Sequence, residues 1–448
     1  MANPLISKSS FIRGQQCHKS LWLHLNQPEE QDEISDAQQR IFDTGHSVGS
    51  YAQQLFPGGI DASRGEHQKI SEALAYTQEL ISDGQSVIYE AAFSDGETLC
   101  YMDILVKENG QWRAYEVKAS TGVKEYQVMD VAYQYYVITH SGLDLADIFL
   151  VHLNNQYIRR GEIDVQQLFT RVNMTTTILA MQDQIPGNLD AIQKMLAAGA
   201  APDIEMGFQC THPYNCDFME FCRSSSQNEP EASHQQPASR NQDALDEFKA
   251  DLEYPLYFLD FETIFPAIPI HDESRPYQQI PFQFSLHVQR VENADPEHYE
   301  FLGTPPADPR PAFIEELLAK LDNAGSIVVW NKTFECTRLK EIARDFPHYQ
   351  EQIEGLLERV VDLMVPFRRK HIYTPEMNGS YSLKAVLPAL APDLSYNDLE
   401  IKEGGMASET YESLYLDCDS ESGARKRENL LRYCEMDTMS MVRILERF

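Results

Sequence analysis

The sequence predicts an α/β protein built from two domains. Segments of strand and helix type alternate in both halves of the chain, which is typical of α/β domains. At 448 residues the chain is long enough for two to three domains. Residues 223–245 are rich in Ser, Gln, Asn and Pro and nearly free of large apolar side chains, as linkers are. We therefore place a first domain at 1–222 and a second at 246–448.

The alternation of helices and strands can be followed along each half. In the first half we expect helices at 36–56, 66–83, 124–140 and 173–199, and strands at 86–93, 99–107, 111–118 and 147–153. In the second half we expect strands at 255–263, 282–291, 298–303 and 326–331, and helices at 312–321, 334–345 and 425–447.

The chain is strongly acidic, with a net charge of −32 and a pI near 4.7. This charge argues against non-specific nucleic-acid binding driven by counterion release. It does not exclude a nuclease, because a carboxylate-rich site binds a cation first and the cation then attracts phosphate. The sequence has no run of 18 apolar residues and no apolar signal-peptide core, so we expect a cytoplasmic protein without a membrane span. Its eight cysteines are then expected to be thiols or metal ligands.

One hairpin carries the strongest local signal. Asn109-Gly110 predicts a two-residue β-turn, because both central residues of that turn need a positive φ. Counting outward from the turn places Asp103 opposite Glu116, and Lys118 on the same face as Glu116. Two facing carboxylates repel, so a divalent cation is expected to hold them. An Asp, a Glu and a Lys together suit metal-assisted phosphodiester hydrolysis, although a surface hairpin with scattered charges remains the plain alternative.

Four cysteines stand at the two ends of the first half. Cys17 lies near the N-terminus, and the other three close the half as C-x5-C-x5-C at Cys210, Cys216 and Cys222. Such a set can ligate an iron–sulfur cluster that joins the two ends of the domain. Zinc is the second possibility, bound by four thiolates or with His212 replacing one of them. The third possibility is a set of ordinary thiols.

A second set of acids occurs in the other half. Asp260 and Glu262 are two residues apart on a predicted strand and therefore share one face, which we expect to be open and to suit a pair of metal ions. Tyr433 and Asp437 are four residues apart on the last helix, so they also share a face. A half-exposed strand with outward polar residues is the alternative. Asp362 is a lesser candidate, for which a structural role is expected.

The first half resembles the RecB-like PD-(D/E)XK nucleases that carry an iron–sulfur cluster, among them the CRISPR-adaptation exonucleases and the AddB nuclease domain. That pattern has an early cysteine, a His, an Asp, Glu-x-Lys, a helical Gln and three terminal cysteines. The matching residues are Cys17, His46, Asp103, Glu116, Lys118, Gln134, Cys210, Cys216 and Cys222. Glu90 matches an acidic position often found before the aspartate. The first cysteine gap is five residues where two are usual, and Ile138 stands where the family has Tyr.

This resemblance implies a restriction-endonuclease-like fold and a role for each matching residue. His46, Asp103 and Glu116 would bind Mg²⁺ or Mn²⁺. Lys118 would handle the attacking water or the charge of the transition state, and Gln134 would belong to the same catalytic site. The four cysteines would bind a 4Fe-4S cluster, with zinc as the alternative.

The second half resembles the DnaQ-like 3′–5′ exonucleases of the DEDDy class, which have an RNase H-like fold. Asp260 and Glu262 match the Asp-x-Glu motif of that class, and Tyr433 and Asp437 match its Tyr-x3-Asp motif. Glu335 stands at the start of a predicted helix, where the class has Asp. The resemblance implies that two metal ions hold the scissile phosphate while the Tyr orients or deprotonates water.

The order of the two halves resembles a bacterial family that fuses these two nuclease types. The resemblance implies a metal-dependent nuclease that acts on nucleic acid, with single-stranded or frayed DNA favoured over RNA. Two alternatives stay open. One is a nucleic-acid-binding scaffold in which one site is inactive, which the Glu335 substitution motivates. The other is a redox-sensing iron–sulfur protein.

Overall fold

A computed structural model of the chain describes residues 5–63, 69–225 and 237–448. The chain divides into two compact units, which are Met1–Glu229 with Ala267–Pro276, and Pro230–Pro266 with Tyr277–Phe448. The boundary after Glu229 falls within the predicted linker at 223–245, of which residues 226–236 lie outside the described part. The short segment Ala267–Pro276 was expected in the second domain and instead belongs to the first unit.

The strands of the first unit form one mixed sheet. In the described part of the chain they are β1 (Ile6–Ser7), β2 (Ile60–Asp61), β3 (Val87–Ser94), β4 (Thr98–Glu108), β5 (Gln111–Lys118), β6 (Leu145–Leu153) and β7 (Phe169–Asn173). Their order across the sheet is β2-β3-β4-β5-β6-β7, and β1 pairs with the start of β4. Strands β3, β4 and β5 are antiparallel neighbours, whereas β5 and β6 run parallel.

The helices of the first unit pack against this sheet and against one another. The described ones are α1 (Lys8–Gln16), α2 (His18–Asn26), α3 (Asp36–Gln53), α4 (Ile70–Ser82), α5 (Glu125–His140), α6 (Val165–Leu168), α7 (Thr175–Leu179), α8 (Ile185–Ala197) and α9 (Met219–Ser225). Helix α5 contributes Val131, Tyr133 and Ile138 to the apolar core. The predicted helix at 66–83 corresponds to α4, and its residues 66–68 lie outside the described part. The predicted helix at 173–199 is divided into α7 and α8.

The hairpin between β4 and β5 has the predicted turn. Asn109 and Gly110 both have positive φ angles, of 53° and 81°, as the two-residue turn requires. Glu108 pairs with Gln111, and the register continues from there to Ile104 and its partner on β5. The turn therefore fixes which residues of the two strands lie near each other further along.

The second unit contains a five-stranded mixed sheet and a separate two-stranded pair. Its described strands are β8 (Ser239–Arg240), β9 (Leu256–Ile264), β10 (Ile280–Gln289), β11 (Glu297–Leu302), β12 (Ile327–Val329), β13 (Val360–Asp362) and β14 (Ile372–Tyr373). The larger sheet has the order β11-β10-β9-β12-β13, and β8 pairs with β14. Strands β9, β12 and β13 are parallel, while β10 is antiparallel to both of its neighbours.

Helices cover both faces of the five-stranded sheet. Those described are α10 (Gln242–Ala250), α11 (Pro309–Lys320), α12 (Lys332–Asp345), α13 (Gln350–Leu357), α14 (Val365–Arg368), α15 (Leu383–Leu390), α16 (Gly404–Asp417) and α17 (Glu421–Leu445). Both units are thus mixed α/β, and the predicted α/β class is confirmed at that level. Throughout the described residues, no helix is both long enough and apolar enough to span a bilayer.

The central strand β9 divides its side chains between two cores. Leu259 and Phe261 pack with α11 and α12 on one face, and Phe258 packs with α15 and α17 on the other. Because strand side chains alternate, Asp260 and Glu262 belong to the face covered by α17. The sequence predicted an open face here, which is wrong, because the long helix α17 closes it. Glu262 is consequently buried against the helix, while Asp260 is partly exposed.

We expect Gly325→Ala to destabilise the second unit. Gly325 has a φ of 91°, and a Cβ at this position would overlap with the carbonyl oxygen of Pro255. The strained backbone alone costs about 1–3 kcal/mol. Gly355→Ala is the matched control, because α13 has open space at that position, and there we expect a gain of up to about 1 kcal/mol. Urea denaturation measures both, and equal midpoints for the two variants would contradict this packing.

Candidate functional site

A first group of charged side chains lies where β4 and β5 separate. The two strands pair from the turn as far as Ile104 and Tyr115, whereas the start of β4 pairs with β1. Asp103 and Glu116 are the next residues beyond that last pair, so they stand at the fork between the strands. The backbone N–H of Val117 donates a hydrogen bond of 2.6 Å to Asp103 Oδ2. The fork thus presents two carboxylates from neighbouring strands at one place.

Two lysines hold the buried carboxylate of Glu116, whose side chain is only 1% exposed. Lys8 Nζ and Lys118 Nζ lie 2.9 and 2.7 Å from Glu116 Oε1, and Lys118 also contacts Asp130. Burial raises the pKa of Glu116, but attraction to the two ammonium groups outweighs it and leaves this pKa below its ordinary value. Glu116 is therefore ionised. Lys8 and Asp130 were missed from the sequence, since each lies on a helix outside the hairpin and reaches it only through packing.

Asp103 and Glu90 add negative charge beside Glu116. Glu90 lies between residues of β3 that pair with the two neighbours of Asp103, and it has an unusual positive φ of 52°. Burial and repulsion by Glu116 raise the pKa of Asp103 well above its ordinary value. Burial, Asp61 and Glu116 likewise raise the pKa of Glu90. Both shifts show that the fork carries more negative charge than its lysines neutralise, and a bound cation would relieve this excess.

Gln134 and His46 are the other residues that the sequence predicted for this site. Gln134 on α5 is fully buried, and neither polar atom of its amide has a hydrogen-bond partner among the described residues. Such a group is rare in a folded protein and often marks a ligand site. His46 is exposed on α3, and in the described residues its ligand atom does not come within 4.8 Å of both Asp103 and Glu116. The three ligand atoms of the expected His46–Asp103–Glu116 set are therefore not brought together in the described residues, although His46 lies within electrostatic reach of Glu90.

Three turns and a helix bring the four predicted cysteines around one small cavity. Its lining includes Cys17 at the junction of α1 and α2, and the three cysteines that close the first unit, Cys210, Cys216 and Cys222. All four are free thiols and are half-buried. Burial raises the pKa of Cys216 and of Cys222, so both thiols stay protonated unless a cation stabilises the thiolates.

The cysteine cavity, defined by these four residues, fits a thiolate-bound metal in composition. Four ligands of one tetrahedral zinc lie about 3.8 Å apart, because each Zn–S bond is about 2.3 Å. In the described residues no three of these sulfur atoms lie within 4.8 Å of one another, so they are spread more widely than a single zinc requires. The space between them is about 20 Å³, which holds little more than one water molecule. A single zinc ion would therefore need the sulfurs to move closer together.

A second group of acids lies between β9 and α17. Glu262 and Asp437 are buried, and Cys434 Sγ lies 3.8 Å from Asp260 Oδ2. Burial raises the pKa of Asp260 well above its ordinary value, and repulsion by Asp437, Glu262 and Glu335 raises it further. The pKa of Glu262 rises for the same reasons, and burial raises that of Asp437 to about 6. The four acids therefore crowd one buried space with too little positive charge.

Two tyrosines and a lysine line the same space. Lys384 Nζ donates a hydrogen bond of 2.8 Å to Tyr433 Oη and lies over the ring of Tyr433. Tyr396 Oη donates one to Asp437 Oδ1, and a second hydrogen bond from Tyr433 also lowers the pKa of Asp437. The sequence predicted Tyr433, and it gave no sign of Lys384 or Tyr396. Lys384 follows the Ser382 N-cap of α15, a cap that positions the helix but does not identify a site.

Glu335, which stands where Asp was expected, lies within electrostatic reach of Asp260. It is 3% exposed, and its Oε2 has no hydrogen-bond partner in the described residues. Burial raises its pKa to about 8, and repulsion by Asp362 contributes. Asp362 itself forms an ion pair with Arg368 and accepts a hydrogen bond from the Met364 N–H. Those contacts account for the structural role expected of Asp362.

Residues 257–382 match the model of a domain of unknown function, DUF2779. The match covers less than half of the chain. It includes Asp260, Glu262 and Glu335 and ends before Lys384 and the acidic end of α17. The DUF2779 match therefore spans the strand-borne acids of the second unit but not those of its last helix.

Three curated proteins are similar to part of this chain, and all three are named as uncharacterized. One from Mycoplasma pneumoniae is 31% identical over 212 residues, which are 43% of this chain and 32% of that protein. One from Mycoplasma genitalium is 29% identical over 206 residues, 42% of this chain and 31% of the relative. One from Ureaplasma parvum is 27% identical over 225 residues, 45% of this chain and 32% of the relative. The chain thus spans about a third of the length of these relatives.

We expect the stabilising contribution of Asp437 to the metal-free protein to be lost as the pH rises from about 4 to 7. The pKa of Asp437 is about 6 in the folded chain and near 3.8 when unfolded, so the folded state holds a proton that it loses across this window. Each pKa unit is worth about 1.36 kcal/mol, so Asp437 accounts for up to about 3 kcal/mol. Asp260 and Glu262 act in the same direction.

Urea denaturation, carried out once with a chelator and once with Mg²⁺, measures this effect. The stability of wild type relative to Asp437→Asn is expected to fall across this window, whereas its stability relative to Asp246→Asn, at an exposed carboxylate on α10, stays constant. Added Mg²⁺ is expected to restore stability at the upper end of the window. A wild-type stability that does not fall relative to that of Asp437→Asn would contradict the crowding of these acids.

We expect Cys216→Ser to destabilise the first unit and to leave the second folded. The variant removes one of four side chains that connect the two ends of the first unit around the cysteine cavity. Cys418→Ser, at a half-buried thiol of the second unit, is the matched control. Thermal melts report the unfolding of each unit. Metal analysis together with visible absorption distinguishes a coloured iron–sulfur cluster from colourless zinc. Equal metal content in wild type and Cys216→Ser would indicate that these four residues are ordinary thiols without a bound metal.

Proposed function

We propose that this protein is a metal-dependent nuclease with two separate active sites. One site stands at the β4–β5 fork of the first unit, and the other lies between β9 and α17 of the second. The second site supports the proposal most strongly, because Asp260, Glu262, Glu335 and Asp437 converge there from three different elements. Such a concentration of buried acids is unstable without a cation and matches the order of the DEDDy motifs.

The architecture of each unit supports the finer fold assignment. In the second unit, an antiparallel meander of β9, β10 and β11 continues into parallel β12 and β13, and helices cover both faces. This supports an RNase H-like fold of the DnaQ exonuclease type. In the first unit, an antiparallel hairpin is followed by a helix and a parallel strand, with the Asp and Glu-x-Lys residues at the fork. This supports a PD-(D/E)XK fold.

In the second site, Asp260, Glu262 and Asp437 would hold Mg²⁺ or Mn²⁺, with Glu335 completing the set. A bound divalent ion activates water and neutralises charge on the scissile phosphate. Tyr433 Oη accepts a hydrogen bond from Lys384 Nζ and donates its own O–H toward Asp437. The phenol is thereby fixed in orientation, as a residue that positions water must be.

In the first site, Asp103 and Glu116 would hold the ion, with Glu90 beside them. Lys118 forms ion pairs with Glu116 and Asp130, and it would supply positive charge to stabilise the negative charge that develops on phosphate. Lys8 contacts the same carboxylate oxygen of Glu116 as Lys118 does and helps to keep that carboxylate ionised. The four residues of the cysteine cavity would hold a 4Fe-4S cluster or zinc that stabilises this unit rather than taking part in hydrolysis.

A nucleic-acid-binding scaffold with an inactive second site is the alternative that one observation favours. The pKa of Glu335 is about 8, so this acid is largely protonated at pH 7. It becomes a ligand only if a cation displaces its proton. Digestion of end-labelled oligonucleotides, the experiment that tests the nuclease proposal, also distinguishes a nuclease from such a scaffold.

We expect Mg²⁺ or Mn²⁺ to support degradation of single-stranded or frayed DNA. Asp260→Asn should lower release of nucleotides from the 3′ end by about 10²-fold or more. As a separate variant, Asp103→Asn should remove the cleavage that does not depend on Asp260. Asp246→Asn and Asp190→Asn, at exposed carboxylates of the second and first units, serve as matched controls. Oligonucleotides labelled at either end, DNA and RNA alike, report polarity and substrate.

Each outcome of the digestion assigns a site. Loss in only one of the two variants assigns the activity to that unit. Absence of cleavage by the wild-type protein with either ion would support the scaffold and overturn the nuclease proposal.

A further inference from the structure

A group of imidazoles separate from the acidic site lies on the neighbouring strands of the second unit. His287 on β10 and His298 on β11 are cross-strand partners, and their rings stack at 4.5 Å. Glu435 of α17 lies beside them, with its Oε1 3.8 Å from His298 Nδ1. One ligand atom from each of the three side chains falls within 4.8 Å of the other two.

The hydrogen bonds behind this group fix where the protons of both imidazoles are. Thr438 Oγ1 donates to the carbonyl oxygen of Glu435 at 3.1 Å. It therefore accepts from His287 Nδ1 and from Ser285 Oγ, which both lie 2.8 Å away. Ser285 Oγ, having donated its proton, accepts from His298 Nε2 at 2.9 Å. This is the one proton assignment that makes all four contacts hydrogen bonds.

That assignment leaves a lone pair on His287 Nε2 and another on His298 Nδ1. An imidazole that donates its second N–H to a fixed acceptor is the usual form of a metal-bound histidine. Ser285 and Thr438 are buried, so the two acceptors are held in place. The distance from His298 Nδ1 to Glu435 Oε1 is too long for a hydrogen bond. Two ligands of one tetrahedral ion are about 3.4 Å apart, which the side chain of Glu435 can reach with a small rotation.

We propose that His287, His298 and Glu435 form a binding site for a divalent transition metal ion of the Zn²⁺ type. Two imidazoles and one carboxylate suit such an ion, whereas Mg²⁺ prefers oxygen ligands alone. The side chains of His298 and Glu435 are 23% and 47% exposed, so the site is open on one side and leaves a coordination position for water. The bound ion would fasten α17 to β10 and β11. It is a distinct site from the one formed by Asp260 and Asp437.

Zinc titration of the metal-stripped, full-length protein in excess Mg²⁺ tests this site. Mg²⁺ occupies carboxylate-only sites, and any zinc at the cysteine cavity is common to all variants. We expect His298→Asn and Glu435→Gln each to lose one equivalent of zinc. Glu428→Gln, which removes the same charge from an exposed position of the same helix, is expected to keep it. Ser285→Ala removes the acceptor of His298 Nε2, together with a hydrogen bond to Thr438, but no metal ligand, and is expected to weaken zinc binding by about 10- to 100-fold.

A thermal melt of each variant accompanies the titration. Zinc is expected to raise the melting midpoint of wild type and Glu428→Gln, and not that of the two ligand variants. Asp260→Asn, which disrupts the proposed nuclease site, should retain the full zinc stoichiometry, so failure of one proposal is distinguishable from failure of the other. Equal zinc stoichiometry and affinity in wild type, His298→Asn and Glu435→Gln would overturn the site and leave a simple His–Glu contact.

Discussion

Repulsion between buried carboxylates is the constraint on which the interior of both units depends. The chain carries a large excess of acids, but an exposed acid is screened by water and costs little. A buried acid must be paired, protonated or bound to a cation. Both units place several acids where the first of these options is only partly available. The groups around those acids therefore determine how stable each unit is in the absence of a bound cation.

The two units meet this constraint in different ways. In the first, Lys8 and Lys118 are supplied from separate elements and keep Glu116 charged. In the second, Lys384 is directed mainly at Tyr433, and the acids receive hydrogen bonds rather than a full counter-charge. The pKa values of those acids are consequently raised. A divalent ion bound at the second site would displace protons from them, whereas an ion at the fork would meet Glu116 already ionised and would displace protons only from Asp103 and Glu90.

The sequence predicted the residues whose neighbours are set by local geometry. The Asn109-Gly110 turn determines the register that brings Asp103 and Glu116 to one fork, and helical spacing places Tyr433 and Asp437 on one face. It did not predict Lys8, Lys384 or Tyr396, because these reach their sites through packing of distant elements that leaves no periodic trace. The open face expected for Asp260 and Glu262 was wrong for a related reason. Strand alternation gives the face of a side chain but not what covers it.

Helix α17 links the two groups of ligands in the second unit. Tyr433 and Asp437 are directed toward β9, while Glu435, offset from both by two residues, is directed toward β11. Thr438 follows Asp437 directly in sequence, and its hydroxyl is hydrogen-bonded to His287 and Ser285 on the side of the proposed zinc site. A metal ion that orders α17 from the β11 side would also order the acid on the β9 side. Because such coupling is reciprocal, an ion bound by Asp260 and Asp437 would equally favour the arrangement of His287, His298 and Glu435.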